Sequence, residues 1–121
     1  KWYNNSNKLF YTWGDEEIMN KKVFKKREDL KEVGLLLKIA NAALTRACTK
    51  VSNNIGSSNT VTKSLNKVED DLNKLRSDMD NKIKGELIDK DLLKSFNEKE
   101  LNNIFYGQDD LLEKVLENLN N

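Results

Sequence analysis

Acidic residues are the side chains of this sequence best placed for chemistry. Asp70 with Asp71, and Asp109 with Asp110, are adjacent carboxylate pairs. Such pairs perform general acid–base catalysis when burial raises the pKa of one member. Both pairs stand in polar, helix-start or solvent-facing contexts, so solvated charge is expected at each. Asp78-x-Asp80 and Asp89-x-Asp91 have the opening spacing of a calcium loop. Neither is followed by glycine at the sixth position, and both read as helix-surface or capping carboxylates. The five glycines stand alone at 14, 34, 56, 85 and 107, so no phosphate-binding loop is written here. There is no histidine, which removes the Ser-His-Asp and Cys-His nucleophile systems and imidazole metal ligands. The single cysteine, Cys48, cannot form an intrachain disulfide and reads as a small buried hydrophobe. No catalytic residue, metal ligand or cofactor site is assigned, and the chain reads as a non-enzyme.

The strongest local electrostatic feature is basic: Lys21, Lys22, Lys25, Lys26 and Arg27, bounded by Glu28, Asp29 and Glu32. A charge run of this kind is ordinarily a solvated helix face. Its functional reading is a docking patch for an acidic protein surface, with Tyr106 as an aromatic anchor. The flanking acids and the net charge of +1 over 121 residues argue against nucleic acid.

The elements that carry these residues are helical. Proline is absent, and no stretch alternates as a strand does. Residues 1–14 form an aromatic arm with Trp2, Tyr3, Phe10, Tyr11 and Trp13, and residues 15–121 a single helical-bundle domain. One helix, or two bent near Glu28, is expected over Asp15–Val51. Leu30, Val33, Leu37, Ala40, Leu44, Ala47 and Val51 repeat at alternating three–four spacing, which places them on one helix face. Leu36, Ile39 and Ala43 widen that face, as in a central helix. Ser52–Asn59 has loop composition, and Thr60 is the expected N-cap of the next helix. Val61, Leu65, Val68, Leu72, Leu75 and Met79 repeat the spacing, and Gly85 is the expected stop. A short helix follows over Leu87–Phe96. Asn97 with Glu100 is a capping-box start, with Phe96 and Leu101 placed for a hydrophobic staple. Gly107 ends that helix, and Asp110 with Glu113 opens the last one. The expected architecture is a compact antiparallel all-α bundle of four to five helices, with the two heptad stripes facing each other as its core. A monomer is expected. Oligomerisation through the 61–79 seam is the structural alternative.

Two strings carry a resemblance: Phe10-Tyr-Thr-Trp-Gly-Asp-Glu-Glu-Ile18, and Val33-Gly-Leu-Leu-Leu-Lys-Ile-Ala-Asn-Ala-Ala-Leu-Thr-Arg-Ala-Cys-Thr-Lys-Val51. With the Lys/Asn-rich, proline-free texture, they resemble the helical C-terminal region of outer-surface lipoproteins of Lyme-disease spirochaetes (Borrelia). The likeness is to the group sharing leader peptides with outer surface proteins E and F. The resemblance implies a lipid-anchored protein of the bacterial outer surface that binds host molecules. It implies inhibition of the classical complement pathway by binding an initiating serine protease of that pathway. No binding residue is carried over. An adhesin domain for fibronectin or glycosaminoglycan is the alternative. Lys1 is no translational start, so a longer chain with a trimmed anchor segment is expected.

Overall fold

The computed structural model describes residues 22–107 and 110–120. The aromatic arm of residues 1–14, and the expected helix start at Asp15, lie outside them. Five α-helices follow in order: α1 Arg27–Ile55, α2 Thr60–Lys82, α3 Lys90–Lys94, α4 Glu98–Asn102 and α5 Asp110–Asn120. A π-helical turn, Ile83–Leu87, joins α2 to α3. No strand occurs among the described residues; Phe24 and Ile88 form an isolated parallel bridge. The molecule is an all-α helical bundle.

The first correction concerns the start of α1. Residues 22–26 are not helical, so no continuous helix runs from Asp15 to Val51. The Phe24 N–H donates to the Leu87 carbonyl at 2.7 Å, which commits this segment to an extended path. Helix α1 begins only after Lys26, whose backbone is extended and whose side chain makes no cap. Glu28 and Asp29 then occupy the first turn, where the helix dipole favours acids.

Helix α1 also runs past the expected linker start. It ends at Ile55, where Gly56 takes φ +86° and donates its N–H to Ser52 O at 2.9 Å. The N-cap of α2 is Asn59, not Thr60: its Oδ1 accepts from Val61 N at 2.8 Å. Gly85 lies inside the π-helical turn and caps nothing.

The second correction concerns the core. The buried cluster is Leu30, Ile83, Ile88, Leu92, Phe96, Leu101, Ile104 and Phe105. It gathers at one end of the bundle, where the start of α1 meets the π-turn, α3, α4 and the bend after α4. The expected α1–α2 stripes are only partly used. Leu37, Leu44, Leu65 and Leu72 are half-buried, and Ala40, Val68 and Leu75 are exposed. On α2 and into the π-turn the inward positions are Thr62, Leu65, Glu69, Leu72, Arg76, Met79 and Ile83. This seam also has a three–four spacing, rotated from the apolar one. Its polar members each make a hydrogen bond, although Arg76 Nε is buried without an acceptor among the described residues. Thr62 Oγ1 donates to Gly56 O at 2.7 Å, Thr45 donates to Glu69, and Arg76 Nη2 donates to Phe105 O at 2.7 Å. Buried polar atoms tolerate desolvation when bonded in this way.

The bend Asn103–Gly107 is fixed from both long helices. Lys38 Nζ donates to Asn103 O, and Arg76 holds Phe105 O. Gly34 of α1 lies against the Ile104 carbonyl, and a β-carbon there would collide with it. Gly107, at φ +97°, ends the bend in a conformation that favours glycine.

Candidate docking groove

The extended segment 22–26 forms one wall of an open groove of about 560 Å³. Val23, Phe24, Val33 and Leu36 supply its apolar surface. Lys25, Lys26, Asp29 and Glu32 supply its charged lining. Phe24 also lines a second hollow of about 300 Å³, with Lys22, Val23, Glu86 and Leu87. The backbone bridge to Ile88 is what positions Phe24 between the two. Lys22, Lys25 and Lys26 are exposed, and none forms an ion pair among the described residues. An apolar floor beside unpaired ammonium groups suits a protein segment carrying apolar and acidic side chains.

The structure divides the sequence-derived docking set. Lys25 and Lys26 line the groove, and Lys22 lines the second hollow on the other side of Phe24. Lys21 lies outside the described residues. Arg27 is half-buried and engaged within the fold. Its Nη1 donates to Ser95 O at 2.6 Å, and its Nη2 pairs with Glu100 Oε2 at 2.5 Å. Its guanidinium also sits 4.3 Å from the Phe96 ring centroid. Tyr106 belongs to the bend after α4, where the Arg76 guanidinium stacks over its ring at 4.6 Å. Its ring is 37% exposed, and no described contact joins it to the groove.

The carboxylates take structural places. Asp89 Oδ1 caps α3 through Leu92 N at 2.7 Å. Asp71 pairs with Lys67 at 3.1 Å and Asp78 with Lys82 at 3.2 Å, both at i,i+4 spacing on α2. Asp70 is exposed, Asp110 opens α5, and Asp109 lies outside the described residues. Among the described residues, no group of three or more His, Cys, Asp or Glu could hold a metal. Cys48 is 7% exposed, and burial followed by the charge of Glu69 pushes its thiol pKa up, away from the reactive thiolate.

Charge alone pointed to the lysines. It missed the apolar half of the groove, although the Val23-Phe24 pair set within the basic run was its visible sign. The class these features define is a helical bundle with an amphipathic groove at one end. No family model, curated protein or solved structure matches the chain. No helix among the described residues is long and apolar enough to cross a membrane.

Proposed function

We propose that this chain is a non-catalytic binding domain that captures a host protein at a bacterial outer surface. The observation that carries the binding role is the groove: half-buried Phe24 and Val33 and exposed Leu36, lined by Lys25 and Lys26 as well as Asp29 and Glu32, with Lys22 at the adjoining hollow. Apolar contact supplies affinity there, and the lysines steer an acidic partner into place. The choice of partner rests on the resemblance of the Phe10–Ile18 and Val33–Val51 strings. It is an initiating serine protease of the classical complement pathway, held by a lipid-anchored inhibitor that does not itself react.

The test is surface plasmon resonance, with the domain immobilised and each activated initiating protease passed over it at two salt concentrations. Saturable binding that weakens with salt supports the reading, because exposed charges are screened. Failure to bind either protease, with capture of fibronectin or glycosaminoglycan instead, replaces it with the adhesin reading.

A further inference from the structure

Among the described residues, the α1–α2 hairpin has one covered side and one open side. Gly34 and Lys38 of α1, and Arg76 of α2, meet the Asn103–Gly107 bend. Thr45 and Glu69 join the helices on the same side. At about 100° per residue, Leu36 and Ala40 of α1, and Val61, Val68 and Leu75 of α2, project on the opposite side of the seam. Exposure agrees: Leu36 is 54% exposed, Val61 59%, Val68 53% and Leu75 47%. Leu37, Leu44, Leu65 and Leu72 lie half-buried between them. Apolar side chains at heptad spacing on an uncovered face form the contact surface of a helix-on-helix interface.

We propose that this face pairs with a second copy of the chain, two hairpins packing antiparallel as a four-helix arrangement. From Val61 to Met79 the strip is about 27 Å long, and two helices side by side are about 20 Å wide. Each copy thus offers roughly 500 Å², and the roughly 1,000 Å² of the pair reaches the lower bound of specific interfaces. The rim charges favour the antiparallel sense. The Thr45–Glu69 and Cys48–Leu65 contacts set the register of α1 against α2. In that register, placing Val68 against Leu75 of the partner subunit brings Glu32 within a helical turn of Lys50 of the partner subunit. A weak, concentration-dependent dimer replaces the monomer expected from sequence.

Glu32 and Leu36 border both this face and the groove, so the test uses Val68 and Leu75, which border the face alone. Sedimentation of the 121-residue chain over a concentration series should show a monomer–dimer equilibrium. The Val68→Glu/Leu75→Glu variant should weaken it by at least about tenfold with an unchanged circular dichroism spectrum, since both side chains already face solvent. Lys50→Glu should also weaken the dimer. A chain that stays monomeric at every concentration, or a dimer indifferent to the Val68/Leu75 change, overturns the proposal.

Discussion

Gly34 and Ile104 touch backbone to backbone: the glycine on α1 leaves no room for a β-carbon before the Ile104 carbonyl oxygen. This contact lets the bend after α4 lie flat on α1, and it places Ile104 and Phe105 in the core. Gly34→Ala must therefore displace backbone, at a cost of about 3 kcal/mol, in the upper range for overpacking. Gly85→Ala meets nothing within 4 Å and needs no positive φ, so it should be neutral or stabilise by up to about 1 kcal/mol. Urea unfolding of the two variants checks the opposite signs. Equal effects would contradict the close approach at Gly34.

Arg76 fixes the same bend from the α2 side. It is 7% exposed, donates to Phe105 O and stacks over Tyr106. Arg76→Met keeps the stem but leaves the Phe105 carbonyl without this donor, and should cost about 2–3 kcal/mol. Arg76→Lys should recover only part of that, because an ammonium cannot both reach the carbonyl and lie flat on the ring. Chemical denaturation ranks the three proteins. A lysine variant as stable as the parent would remove the planar fork from the account.

The end of the bundle is tuned by an acid. Glu100 accepts the Asn97 N–H in the capping box and pairs with Arg27, and these contacts hold its carboxyl pKa below the ordinary value. A lowered folded-state pKa means that the stabilisation is present above the unfolded pKa and is lost as pH falls through the folded one. Glu100→Gln should therefore be less stable than the parent at neutral pH, and the gap should close in acid. The side chain is about one-third exposed, so the effect is modest. Thermal unfolding across acidic pH checks it. A gap that stays constant with pH would show that the carboxylate charge is irrelevant.

Local signals were legible in the sequence and long-range facing was not. The Asn97–Glu100 box and the Asp89 cap each depend on residues within one turn, and each forms as read, whereas the helix expected to run to Gly107 ends at Asn102 and gives way to the bend. The side that α2 turns inward depends on partners elsewhere. Glu69 and Arg76 find donors and acceptors on α1 and in the bend, which rotates Val68 and Leu75 outward. An apolar stripe cannot announce that a neighbouring polar one has buried partners. Of the candidate site, the lysines were visible as charge. The diversion of Arg27 was hidden because Ser95, Phe96 and Glu100 lie about 70 positions away along the chain.

The central claim is that the groove beside residues 22–26 captures the partner. The direct measurement is the affinity of the initiating complement proteases for the parent domain and for a Lys22→Glu/Lys25→Glu/Lys26→Glu variant, by surface plasmon resonance. These side chains are exposed and form no described ion pair, so the variant should keep the parental helical spectrum. The account predicts binding by the parent, at least about tenfold loss in the variant, and a flatter salt dependence. Equal affinity and equal salt dependence in the two proteins would contradict it.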